Sequence, residues 1–166
     1  AFPGWKATPI AERQAKVAAM GDVIAAHMDE LKRLLTAEQG KPLDGAEQDV
    51  GGAPHFCGLA AKLTPPVEVH EDSEERYSAT YRVPLGVVCA ISPWNFPIAN
   101  AFLKIAPALV AGNAVVLKPS PFTPLTTLRI GELVRDALPP GVFNIVSGTD
   151  ELGPWMTSHP GFDQIS

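Results

Sequence analysis

Residues 84–120 read PLGVVCAISPWNFPIANAFLKIAPALVAGNAVVLKPS, and this stretch decides the fold. Val87-Val88-Cys89-Ala90-Ile91 is short, apolar and rich in β-branched residues, as in a strand buried on both faces. Ser92-Pro93-Trp94-Asn95-Phe96-Pro97 follows, and its prolines exclude regular structure. A helix is predicted from Ile98 to Ala111, stopped by Gly112-Asn113. Ala114-Val115-Val116-Leu117 then reads as a second buried strand. Strand, helix and strand in this length make a parallel βαβ crossover. Ser92, Trp94 and Asn95 follow the first strand, and Lys118 and Ser120 follow the second. Open parallel sheets take their ligands at those carboxyl ends, so the reading from this stretch alone is an α/β ligand site, with a nucleotide as the expected ligand.

Upstream, Thr8-Pro9 reads as a helix start with Thr8 at the N-cap. Ile10, Val17, Ile24, Met28, Leu31 and Leu35 form one apolar stripe up to Gly40 and Pro42. Met20 and Met28 fit core filling better than a binding groove. Asp44-Gly45-Ala46-Glu47 has capping-box spacing for a further helix to Ala61, with a break expected near Ala53 because of Gly51, Gly52 and Pro54. Val67–His70 and Tyr77–Val83 alternate as two strands of a hairpin. The acidic run Glu71–Glu75 between them fits a solvated turn, with a metal or partner site as the alternative.

Downstream, Thr123-Pro124 opens a third helix reaching Leu138, and Val142–Val146 is a third strand. Thr149 or Asp150 is placed to cap a fourth helix through Gly153, and Phe162 to Ile165 begins a fourth strand. This alternation predicts an α/β fold, a Rossmann-like doubly wound parallel sheet preceded by N-terminal helices and a β-hairpin. The expected divisions are 1–66 (helical), 67–83 (hairpin) and 84–166 (α/β core). Neither GxGxxG nor GxxxxGK[ST] is present.

The net charge of −5 and the lack of a basic cluster argue against nucleic acid, and no apolar run is long enough to span a membrane. Cys57 and Cys89 are too few for a disulfide framework and sit in apolar settings, so a reducing, cytoplasmic location is expected and neither is expected to be a nucleophile. No metal site is predicted.

Taken together, PLGVV, PWNFP, K-x-APAL-x-AGN-x-VVLKPS, TPL, PPGVFN and HP resemble the aldehyde dehydrogenase superfamily. The resemblance covers nearly the whole chain and is densest from Val83 to Ser166. It implies oxidation of an aldehyde to a carboxylic acid with NAD(P)+ through a Cys thiohemiacetal. It further implies a homo-dimer or homo-tetramer, with the hairpin as part of the oligomerisation arm. The family's nucleophilic Cys and general-base Glu lie beyond the last residues here, so the chain is expected to be an N-terminal fragment, inactive alone and truncated in its sheet.

Asn95 matches the family's oxyanion donor; capping of the following helix is the alternative and compatible role. Lys118 matches the lysine that reaches the adenosine ribose, against a plain strand-end lysine. Ile91, Ser92, Pro93 and Trp94 match positions around the same cofactor, with core filling as the alternative for Trp94. Ser120 and Pro121 complete that group. Pro121 stands where many NAD-using relatives carry a Glu, so NAD is the default cofactor and NADP stays open. Gly153 matches the glycine that lets a helix approach the adenine, against close helix packing. Lys104 matches a position linked to proton relay, against an ordinary amphipathic-helix lysine. A non-catalytic nucleotide-binding or interaction module on the same half-fold is the alternative function.

Overall fold

The computed structural model describes residues 1–166. The helices are α1 (Phe2–Ala7), α2 (Ile10–Ala26), α3 (Met28–Gln39), α4 (Leu43–Ala60), α5 (Pro97–Val110), α6 (Leu125–Leu133) and α7 (Leu152–Ser158). The strands are β1 (Glu68–Asp72), β2 (Tyr77–Thr80), β3 (Val87–Ile91), β4 (Ala114–Lys118), β5 (Phe143–Ile145) and β6 (Gln164–Ile165).

β1 and β2 form a separate antiparallel hairpin, and the other strands form a parallel sheet in the order β5-β4-β3-β6. The chain thus moves outward from β3 through β4 to β5, then returns to the far side of β3. That reversal is the switch point where doubly wound sheets leave a crevice. Alternation along the strands divides the faces. Val88, Ala90, Val115 and Leu117 join the core with α2 to α6. Val116 instead lines a hollow with Leu152 and Met156 of α7.

The apolar stripe upstream is buried as expected: Val17, Met20, Ile24, Leu31 and Leu35 are inaccessible, and Met28 packs against them. It is carried by two helices rather than one. His27 (φ −108°, ψ 18°) interrupts the backbone, and its ring Nδ1 donates to the carbonyl of Val23 at 2.8 Å. Thr8 is not the N-cap of α2. It ends α1, and its hydroxyl donates back to the carbonyl of Gly4. Pro9, with its fixed φ, stands at the start of α2 instead.

The break expected near Ala53 is absent, and α4 runs through Pro54. Gly52, in the middle of α4, permits close approach instead of disrupting the helix. A Cβ on Gly52 would fall 2.7 Å from Ala99 Cβ, and one on Gly21 of α2 would fall 2.8 Å from Cys57 Cβ. Val50, Ala53 and Cys57 are fully buried on this face, and their burial offsets the hydrogen bond that Pro54 cannot donate. The capping box is not formed: Asp44 accepts only from the neighbouring amide of Gly45.

The α5 C-terminus is closed by distant donors. Trp5 Nε1 donates to the carbonyl of Leu109 and Arg13 Nε to that of Val110, both at 2.9 Å. Gly112 then takes φ +98°, a backbone that favours glycine, as the stop signal anticipated. The α6 N-terminus has no cap from Thr123. The Glu38 carboxylate at the end of α3 accepts from the amides of Leu125 (2.8 Å) and Thr126 (3.0 Å). α6 also ends at Leu133, short of Leu138, and α7 has no side-chain cap from Thr149 or Asp150.

Candidate active site

The register Ile91↔Lys118 sets the carboxyl ends of β3 and β4 side by side. The amide of Ser92 donates to the carbonyl of Lys118 at 3.1 Å, which ties the two chain exits together. The residues singled out from both strand ends therefore meet at one sheet edge.

Lys118 is buried, at 3% exposure. Its ammonium carries three protons and finds one acceptor in the chain, the carbonyl of Pro119 at 3.3 Å. A strand-end lysine reaching solvent is ruled out by that burial. A desolvated ammonium with so little compensation is costly, and acceptor oxygens from a ligand would relieve the cost. Ser92 is buried too, and its hydroxyl has no partner. Ser120 is buried, with its oxygen accepting from the amide of Phe122. This donor set fits the hydroxyls of a ribose or the oxygens of a phosphate.

Asn95 lies in the exposed turn between β3 and α5. It does not cap α5: Phe96 holds the N-cap position, and no side chain of the turn bonds the first helical amides. The Asn95 side-chain amide makes no hydrogen bond within the chain, so both its N–H groups are free to donate. Trp94 is 57% exposed and is not core filling. Pro93 is exposed and Ile91 half-buried beside it. Lys104, on α5, donates to the carbonyl of Ile91 at 3.1 Å, so its ammonium sits at the same strand end.

Pro121 lies farther along the edge. It lines a hollow of about 300 Å3 with Pro124, Ser147, Gly148 and Thr149, the last three following β5. No carboxylate lines this hollow. The nearby Glu38 is engaged in capping α6. Gly153 is on α7, apart from this hollow, and a Cβ there would meet nothing within 4 Å. Close helix packing therefore does not explain that glycine. Trp155 and Leu152 of the same helix border the apolar hollow of about 230 Å3.

Neither cysteine belongs to the site. Burial pushes the Cys57 thiol up to about 12, with a smaller contribution from Asp22, and burial raises that of Cys89 as well. No group of three or more His, Cys, Asp or Glu side chains is arranged to hold a metal.

Three further residues were missed from the sequence: Gln39 and Lys41, which reach the Asn95 turn, and Asp49, which holds Lys41 and the first turn of α5. Asp49 did leave a signal, since it is an acid on the buried stripe of α4 with Ala46, Val50 and Ala53. A fully buried carboxylate there requires a partner.

A family model described as "Aldehyde dehydrogenase family" matches residues 1–166. A probable aldehyde dehydrogenase from Pseudomonas sp is 45% identical over 166 residues, covering 100% of this chain and 34% of the relative. Two solved structures are similar in fold. A glyceraldehyde-3-phosphate dehydrogenase from Methanocaldococcus jannaschii, complexed with NADP, gives a TM-score of 0.92 at 30% identity, over 99% of this chain and 38% of that one. A betaine aldehyde dehydrogenase double mutant from Staphylococcus aureus, in complex with NAD+, gives 0.88 at 35% identity, over 99% and 34%. The chain thus spans about a third of the length of the relatives it matches.

Proposed function

The chain belongs to the aldehyde dehydrogenase family, and from that premise we propose that it supplies the cofactor cradle and the oxyanion donor for oxidation of an aldehyde to a carboxylic acid with NAD(P)+. The observation that carries this reading is that the sheet end bearing a buried, under-partnered Lys118 is also the end at which β3 runs into the turn carrying the unbonded Asn95 amide.

Each residue has a distinct task. The Lys118 ammonium donates to hydroxyls of the adenosine ribose, which replaces the water lost on burial. Ile91, Ser92, Pro93 and Trp94 wall the cofactor, and Ser120, Pro121 and Gly153 border its adenosine end. Asn95 Nδ2 donates to the carbonyl oxygen of the aldehyde as attack on the carbon gives that oxygen negative charge. A neutral amide suits this task because it has no proton to lose near neutral pH. The nicotinamide ring, when bound, accepts the hydride that leaves the substrate carbon, and water supplies the second oxygen of the acid. The nucleophile is neither Cys57 nor Cys89, whose thiols are held protonated by burial.

NAD is the default partner for Lys118, and NADP is also accommodated, because Pro121 places no carboxylate against a 2′-phosphate. The hairpin β1–β2, whose first strand is exposed along its whole length, is assigned to subunit association in a cytoplasmic homo-dimer or homo-tetramer.

The test is turnover of an aldehyde by the protein at its full encoded length, wild type against Asn95→Ala. Loss of one oxyanion donor costs on the order of a hundredfold in kcat. An Asn95→Ala protein with wild-type turnover overturns the assignment. Saturable dinucleotide binding with no turnover of any aldehyde would favour a non-catalytic nucleotide-binding module.

A further inference from the structure

We propose that Gln39, Lys41 and Asp49 are positioning residues, which fix the peptide planes on either side of Asn95 and so aim its side chain. The proposal rests on the reading of Asn95 given above.

Within the turn, Pro93, Trp94 and Asn95 make no backbone–backbone hydrogen bond, and the turn's own side chains do not cap α5. The restraint comes from α3 and α4. Gln39, the last residue of α3, donates through Nε2 to the carbonyls of Trp94 (2.5 Å) and Asn95 (3.0 Å). Gly40, at φ +85°, reverses the chain, and Lys41 follows. The Lys41 ammonium donates to the same Asn95 carbonyl at 2.9 Å and stands 4.3 Å from the centre of the Phe96 ring.

Asp49 anchors this lysine. Its Oδ2 lies 2.9 Å from Lys41 Nζ, and its side chain is wholly buried. Its other oxygen, Oδ1, accepts from the amide of Ala99 at 2.8 Å, in the first turn of α5. One buried carboxylate therefore caps the helix that follows the turn and holds the cation that grips the turn. An anion at a helix N-terminus is favourable in its own right.

The geometry explains why these contacts bear on the side chain. The Trp94 carbonyl belongs to the peptide plane before the Asn95 Cα, and the Asn95 carbonyl to the plane after it. Fixing both planes fixes the direction of the Cα–Cβ bond. At the turn, Gln39 and Lys41 donate only to backbone carbonyls, which leaves the Asn95 amide free for a ligand. A donor displaced by about 1 Å loses much of its value in the transition state, on the order of a hundredfold in rate.

The test uses the protein at its full encoded length, with Gln39→Ala, Lys41→Met and Asp49→Asn alone and combined with Asn95→Ala. Asp49→Asn retains an oxygen for the Ala99 amide while removing the charge that holds Lys41. The expected result is a fall in kcat on the order of tenfold for Lys41→Met and Gln39→Ala, with KM for the dinucleotide unchanged. On the Asn95→Ala background the same substitutions should cost nothing further. Lys41→Arg should restore most of the rate, since a guanidinium can donate to the same carbonyl and stack on Phe96. Losses that multiply in full with that of Asn95→Ala would overturn the proposal, because the three residues would then act elsewhere.

Amide hydrogen exchange of residues 94–99 is the second measurement, and it needs no turnover. Faster exchange there in Lys41→Met, with the β3 and β4 peptides unchanged, supports the clamp. Unchanged exchange overturns it. Should Asn95→Ala itself leave turnover intact, the oxyanion reading fails, and exchange alone decides whether the clamp exists.

Discussion

Burial sets the acid–base behaviour of Cys57, a wholly inaccessible residue of α4 that packs against Gly21 of α2. Its thiol is pushed up from 9.0 to about 12. Below pH 9 both the folded and the unfolded chain keep the proton, and the contribution to stability is fully present. Between about 9 and about 12 the unfolded chain releases the proton first, so stability falls as pH rises. The slope from this one group reaches at most about 1.4 kcal/mol per pH unit. Urea midpoints measured from pH 8 to pH 11 should therefore fall less steeply in Cys57→Ala than in the wild type. Parallel slopes would contradict the burial argument. At the sheet edge the informative residue is Pro121. A carboxylate introduced by Pro121→Glu would border the hollow with Ser147 and Thr149. It should weaken NADP+ relative to NAD+ on the order of tenfold, through repulsion of the 2′-phosphate. Competitive titration with both dinucleotides checks this, and an unchanged ratio would place the 2′ position elsewhere.

Among the elements, α4 and α5 approach closely only because Gly52 has no side chain. Replacing it with Ala gains up to about 1 kcal/mol in helix propensity. It also drives a methyl to 2.7 Å from Ala99 Cβ and 2.9 Å from Ala99 Cα. The second neighbour is backbone and cannot turn aside, and overpacking of this kind costs about 1–3 kcal/mol. Gly52→Ala should lower Tm in a thermal melt, and an equal or higher Tm would mean the helices have slack. The elements also show what could be read in advance. β3, α5, Gly112 and β4 were legible because their signals are local: unbroken β-branched runs, helical period, and a glycine stop. The interruption at His27, the passage of α4 through Pro54 and the capping of α6 by Glu38 were not. Each is settled by tertiary contact, and the Glu38 cap joins residues 87 positions apart. The site divided in the same way. Lys118 and Asn95 stood out at strand ends, whereas the Gln39–Lys41–Asp49 restraint required the folded chain.

Taken as a whole, the molecule places one core between its helices and one face of the sheet, and leaves other surfaces uncovered. β6 pairs over only two residues, at the sheet edge. Leu103 is 52% exposed and Trp155 67% exposed. The hairpin adds a second open edge with every β1 residue exposed. Open strand edges next to apolar patches favour association. Sedimentation of this chain across micromolar to sub-millimolar concentrations should show a mass rising above 17.6 kDa. A concentration-independent monomer would contradict that expectation. The central claim, that the β3–β4 edge receives a nicotinamide dinucleotide through Lys118, is tested most directly by titrating NAD+ and NADP+ into the protein while following tryptophan fluorescence, in the wild type and in Lys118→Met. The account predicts saturable quenching in the wild type that is weakened on the order of tenfold or more in the variant, since the buried ammonium's hydrogen bonds to the ligand are lost. Equal binding by both proteins would contradict it.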